Sequence, residues 1–335
     1  MDIDVFVAQH RAEWDRLRYL VRRARKLSGP EADELIALYQ RAATHLSIVR
    51  STAPDPALLS RLSSLVAQGR AAIAGSHNPS WREFGLFFSR RFPAAIYRAR
   101  AWWVPVAVMF LLVSGALAAW IATDVSVRGQ LATPAEIDQL TASGGDFESY
   151  YSSAPAASFA FDVWTNNVWV SAGALTLGVL FGIPVVIILL TNAVNVAVAG
   201  GMMASVGRLD IFFGLITPHG LLELTAVFVA AGLGLKLGWT VIDPGRRSRS
   251  AALAQEGRAV VGVALGLVVV LLISGVIEAF VTPSGLPTAA RIGIGVLAEV
   301  VFLAYVFVLG RRAAQAGETG DVDPSHAGAS APATG

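Results

Sequence analysis

The segment Pro218-His219-Gly220-Leu221-Leu222-Glu223-Leu224-Thr225-Ala226 is a polar cluster inside a run that is otherwise apolar. A His and a Glu four residues apart share one face of a helix. An ionisable side chain at the centre of a bilayer costs roughly 2.5 kcal/mol or more, so this face needs a partner, a cavity or an internal pair. Three chemistries fit it. The residues can bond across helices to hold a bundle, at ~0.6–2 kcal/mol each. They can line an ion or substrate pathway, the default reading of ionisable groups at membrane depth. Or they can ligate a metal, for which His219 and Glu223 supply two groups. HExxH is absent, and a zinc site takes three protein ligands and a water, so a metal reading needs Glu278 as the third ligand and contact between its helix and that of His219. The sequence leaves this point open. No Ser/His/Asp arrangement, phosphate loop or cofactor fingerprint is present, and no cofactor is expected. Of the five histidines only His219 falls in an apolar segment.

The elements that position these residues are spans of a membrane bundle. Hydrophobic residues make up 54% of the chain and charged residues 15%. Several apolar stretches approach the ~20 residues that cross a ~30 Å hydrocarbon core. The expected fold is all-α and polytopic, with about six transmembrane helices near 102–122, 167–190, 194–216, 218–238, 259–281 and 291–310. Asn192 and Asn195 mark the turn between the second and third. With the N-terminus inside, six spans place Arg90 to Arg100, Arg246 to Arg258 and Arg311-Arg312 on the cytoplasmic side, which obeys the positive-inside rule. Trp102, Trp103, Trp120, Trp164, Trp169 and Trp239 fall near span ends, as an aromatic belt would. This topology brings His219, Glu223, Glu278, Asn166 and Asn167 to the outer leaflet, where they would line a polar pocket. Glu299 lies deeper. Gly178-Gly182, Gly234-Gly238 and Gly262-Gly266 have GxxxG spacing, which permits close backbone approach.

Ahead of the spans, residues 1–80 read as a cytosolic helical bundle. Its stripes are Phe6, His10, Trp14, Leu17, Tyr19, Leu20 and Val21; then Leu35, Leu38, Tyr39, Ala42, Leu46 and Val49; then Leu58, Leu62, Leu65, Val66 and Ile73. Breaks are expected at Ser28-Gly29-Pro30 and at Pro54 and Pro56. Residues 81–101, with Phe84, Phe87, Phe88 and Phe92 among arginines, read as an amphipathic interfacial segment kinked at Pro93. The tail 311–335 reads as disordered. Without cysteine there are no disulfides and no thiolate chemistry, and a net charge of +2 gives no case for nucleic acid.

Thr165-Asn166-Asn167, the Asn192 to Gly201 region, Pro218-His219-Gly220 with Glu223-Leu224-Thr225-Ala226, Ala230 to Leu235, and Ile277 to Pro283 together resemble the stage II sporulation protein M family. The resemblance covers roughly residues 100–310, with Pro218, Gly220 and Pro283 as structural positions of its motifs. Thr225 stands where the family commonly has Pro. The N-terminal domain is similar to the extension of longer bacterial relatives. The resemblance implies a multi-pass protein of the bacterial plasma membrane with both termini cytoplasmic. In endospore formers the namesake works in engulfment with membrane-associated partners that degrade peptidoglycan. Longer relatives are encoded near MoxR-type ATPases and RDD-family membrane proteins. The expected function is a non-catalytic membrane component that scaffolds or recruits envelope machinery. The alternatives are a transporter or permease using the outer pocket, and an intramembrane metal-dependent hydrolase.

Overall fold

The computed structural model describes residues 3–24, 27–52, 55–73, 81–152 and 155–320. All regular structure among them is helical, and they divide into two compact units between Trp81 and Arg82.

The first unit is built from α1 (Ile3–Arg22), α2 (Gly29–Thr52) and α3 (Pro56–Ile73). Ser28 opens α2 with its backbone N–H and hydroxyl both bonded to Glu31 at 2.8 Å, and Pro30 sits in the first turn where its missing donor costs nothing. Trp14, Leu17, Leu20, Leu35, Leu38, Val49, Leu62 and Leu65 form one core. Tyr19 departs from its expected stripe: it is 45% exposed, with the guanidinium groups of Arg16 and Arg23 5.3 and 5.4 Å from its ring centre. The break expected at Pro54 lies outside the described residues, while Pro56 opens α3.

The second unit opens with α4 (Trp81–Leu86), a π-helical turn at Phe87–Arg91, α5 (Phe92–Arg98) and α6 (Arg100–Thr123). A cap follows, made of α7 (Val125–Leu131), α8 (Pro134–Thr141), α9 (Asp146–Ser149) and a 3₁₀ turn at Tyr150–Ser152. Five long helices remain: α10 (Ala156–Thr176), α11 (Ile183–Ser205), α12 (Leu209–Ile242), α13 (Arg249–Val276, continued by a π turn Ile277–Val281) and α14 (Thr288–Ala304). A last π turn, Tyr305–Gly310, joins α14 to α15 (Arg311–Gln315). Helices α6, α11, α12, α13 and α14 are long and apolar enough to cross a membrane. Helix α10, interrupted by Asp162, Asn166 and Asn167, packs beside α12 and α13 as the sixth helix of the bundle. Contacts fix an alternating direction. Trp102 of α6 meets Trp239 of α12, whereas Ile121, at the other end of α6, lies against Gly201 of α11. One end of the bundle therefore carries the cap and the other carries Arg100 and the Arg246-Arg247 turn.

The structure differs from the expectation in three respects. The long apolar run is cut at 177–182 and 206–208, not near 191–193 and 217. Phe181 (φ 57°), Gly182 (φ 75°) and Gly207 (φ 75°) take the left-handed backbone that ends these helices. Asn192 and Asn195 thus sit within α11, and Asn192 bonds back to the Ile188 carbonyl at 2.8 Å. Pro218 opens no helix. It lies inside the 34-residue α12, since one lost backbone bond is tolerated where neighbouring helices pack closely. Second, residues 92–96 are buried within the bundle, against the expectation of an interfacial segment. Phe92 fills the space over Gly266, and Pro93 packs on Gly310 at the start of α5. Third, residues 311–320 are ordered, with Gly320 on Ala95; residues 321–335 lie outside those described. The tryptophans also divide: Trp120, Trp169 and Trp239 face outward, but Trp103 is buried and Trp103 and Trp164 donate to the Ile96 and Val268 carbonyls.

Candidate functional site: a buried His–Glu–Glu cluster beneath the cap

Helix α12 is the axis of the second unit. Its exposed flank is narrow, and small residues let neighbours approach its backbone. The two GxxxG segments at Gly178-Gly182 and Gly234-Gly238 face each other, with Gly178 against Gly234 and Gly182 against Leu235 and Gly238. Gly232 meets the Trp103 backbone of α6, and Gly295 of α14 meets Pro218. This close packing holds the site residues in register.

Toward the cap end, α12 presents His219 and Glu223 to α13. Ser274, on α13, donates to the His219 carbonyl at 3.0 Å. One turn on, the π turn widens the helix and brings Glu278 inward, with a side chain 5% exposed; such bulges recur at functional sites. His219 Nε2 lies 3.8 Å from Glu278 Oε1, beyond hydrogen-bond distance. Its Nδ1 is 3.3 Å from the Thr282 hydroxyl. One ligand-type atom from each of His219, Glu223 and Glu278 lies within 4.8 Å of the other two. Asn167 of α10 and Ser274 reach the Glu223 carboxyl. Glu223 Oε2 and Glu278 Oε2 are shut from solvent without a hydrogen-bond partner. Among the described residues, neither carboxyl has a Lys or Arg at ion-pair distance.

Asn166 does not join this group. It is on the exposed side of α10, where its amide donates to Asn167 at 3.4 Å. Gly220 is buried in α12. Glu299 is a separate site further along the bundle, where Thr225 donates to it at 2.8 Å and its Oε2 has no partner.

The cap closes the cluster. Tyr151 is 8% exposed, and its ring centre is 5.8 Å from that of His219. Burial, and after it the nearby Glu278, push the Tyr151 phenol well above its ordinary pKa, so it stays a neutral hydroxyl. Above it lies a cleft of about 500 Å³ lined by Glu148, Tyr151, Asp210, Thr282, Pro283 and Arg291, among others. Arg291 donates to the Thr282 carbonyl at 2.6 Å and to the Thr288 hydroxyl at 3.1 Å, while its Nε has no partner. Arg208, in the turn before α12, ties the cap down through the Thr141 carbonyl and Glu148. Tyr151 and Thr282 therefore separate a polar cleft from a buried cluster. Ser274 and Thr282 stand four residues either side of Glu278, so the helical period marks them as its neighbours. Tyr151 arrives from an irregular segment that no periodicity places.

The comparisons bear on both units. The family model "Stage II sporulation protein M" matches residues 107–283, which includes α10 to α13 and every residue of the cluster. A second model, "Domain of unknown function (DUF8413)", matches residues 4–75. An uncharacterised protein of Methanocaldococcus jannaschii is 28% identical over 123 residues, covering 36% of this chain and 69% of that protein. No solved structure matches. With more than half of its length under the first model, and that model's span coinciding with the helices that build the cluster, the chain belongs to the stage II sporulation protein M family.

Proposed function

We propose that this chain is a non-catalytic multi-pass component of the bacterial plasma membrane that scaffolds or recruits cell-envelope machinery. The packing of α12 carries this reading. Its glycines touch the backbones of α6, of the end of α10 and of the turn after it, and Gly295 of α14 touches the α12 backbone at Pro218. A transport cycle rocks one part of a bundle against another, and these contacts leave no room for such sliding. A rigid bundle suits a platform. On this reading, the positive-inside rule argues for the N-terminal helices and the arginines between 246 and 258 lying in the cytoplasm, with the cap outside. The first unit, with its own core and a charged surface, then offers a docking face to MoxR- or RDD-type partners, and the cap faces peptidoglycan-remodelling proteins. Crosslinking of the full-length chain in native membranes, followed by mass spectrometry, tests this. Adducts between residues 3–73 and other envelope proteins are expected. Recovery of the chain alone, together with solute flux in proteoliposomes, would instead establish a permease.

A further inference from the structure

We propose that His219, Glu223 and Glu278 form a binding site for one divalent first-row transition cation, with zinc the best match.

Four observations converge on it. The ligand-type atoms come from two helices and already lie within 4.8 Å of one another, close to the ~3.4 Å that ligands ~2.1 Å from a tetrahedral zinc would have. The spacing is built in: His219 and Glu223 share one face of α12, and the π turn of α13 displaces Glu278 toward it. Both Glu223 Oε2 and Glu278 Oε2 are shut from solvent and unpartnered, which leaves acceptor capacity unused within the cluster. Buried polar atoms are rarely left so. Finally, the ligating forms of these groups, two carboxylates and a neutral imidazole, sum to −2, and the described residues supply no Lys or Arg at ion-pair distance to offset them. A divalent cation cancels that charge.

The surroundings also match how metal ligands are held. Thr282 sits at His219 Nδ1, and its hydroxyl can accept from Nδ1–H in the tautomer that leaves the Nε2 lone pair toward Glu278, the one a metal would select. The Asn167 amide, at the Glu223 carboxyl, can orient that ligand as a donor. Such partners fix ligand geometry in metal sites. An imidazole beside two carboxylates favours zinc and its neighbours over Mg²⁺ or Ca²⁺, which prefer all-oxygen shells. Tyr151 and Thr282 line the cleft on the cap side, the side from which a water could supply a fourth ligand.

A competing cluster exists in the first unit, where His10, Glu13 and His45 also lie close. There the Trp14 indole donates to His45 Nδ1 at 3.2 Å, which requires the lone pair on Nδ1 and places the proton on Nε2. That tautomer does not ligate a metal through Nε2.

The test uses the full-length chain in detergent, stripped with a chelator and titrated with Zn²⁺, with Co²⁺ as a visible-absorption probe. About one Zn²⁺ per chain is expected to survive gel filtration, with Co²⁺ bands free of thiolate character because the chain has no cysteine. Glu278→Gln and His219→Ala should each weaken binding at least tenfold. Thr282→Val keeps every ligand and should weaken it by about 10–100-fold, the usual effect of losing an orienting partner. Monodisperse elution and unchanged tryptophan emission identify variants that still fold, and Thr282→Val serves if the others do not. No retained Zn²⁺ would overturn the assignment. Binding that persists in Glu278→Gln but disappears in His45→Gln would overturn it equally, because the ion would then sit in the first unit. Neither result touches the scaffold reading, which is decided by crosslinking.

Discussion

Replacing Gly232 by Ala tests the close packing on which the platform depends. A Cβ at Gly232 would lie 2.5 Å from the Trp103 Cα and 2.6 Å from its N and Cβ. Contacts this short cannot persist, and the opposing atoms are backbone, so α6 must withdraw from α12 by roughly 0.5–1 Å. A gap of that size forfeits a quarter to a half of each van der Waals contact it opens. Trp103 is 5% exposed and donates to the Ile96 carbonyl at 3.0 Å, so the shift also strains a buried bond. Overpacking costs ~1–3 kcal/mol, and a clash against backbone atoms that cannot rotate away falls in the upper part of that range, ~2–3 kcal/mol. The higher helix propensity of Ala returns ~1 kcal/mol, leaving a net loss of roughly 1–2 kcal/mol. At about 2–4 °C per kcal/mol for a unit of this size, the variant should melt some 2–8 °C lower when unfolding is followed by tryptophan fluorescence in detergent. Gly115 of α6 is the control, because nothing lies within 4 Å of a Cβ added there. Gly115→Ala should melt at the wild-type temperature or a few degrees above it. A Gly232→Ala protein as stable as wild type would refute the argument.

Other outcomes follow from named contacts. Arg208→Ala removes both ties from the turn before α12 to the cap. It should make residues 125–152 cleavable by protease at a dilution where the wild type is intact, while the rest of the unit resists. In the first unit, burial, and after it the neighbouring His10 and Arg41, hold His45 below the usual imidazole range, with Glu13 opposing them. A histidine whose folded pKa is depressed contributes stability that is present above its unfolded value of ~6.5 and is lost as pH falls through the folded value. Protonation also ends the bond that His45 Nδ1 accepts from Trp14. Hydrogen-exchange protection of α1 and α2 should therefore fall between pH 7 and pH 5, and His45→Gln should flatten that dependence. Protection unchanged down to pH 5 would contradict this.

The sequence makes the first unit legible because each stripe has one period and one core to satisfy. Tyr19 escapes because its ring serves Arg16 and Arg23 instead of leucines. In the second unit, hydropathy identifies the spans but not their ends. Within an apolar run from 164 to 238, composition carries little punctuation, and the true breaks rest on the backbone of Phe181, Gly182 and Gly207. Pro218 reads as a boundary in one dimension and becomes an interior contact in three. The meeting of His219, Glu223 and Glu278 follows from alternating helix direction, so it could be reasoned from topology. Asn166 and Asn167 differ only in which side of α10 they face, and a one-residue rotation decides between them. The helical period places Thr282 beside Glu278, but the π turn at Ile277–Val281 that sets their register has no local signal.

The platform reading stands or falls on the bundle placing the cap and the turn before α13 on opposite sides of the membrane. Because the chain has no cysteine, single cysteines report this directly. Ser143, in the cap, and Ser250, at the start of α13, are both exposed. In intact cells a membrane-impermeant maleimide should label Ser143→Cys, and should label Ser250→Cys only after permeabilisation. Labelling of Ser250→Cys in intact cells, or the same pattern at both positions, would contradict the six-helix topology.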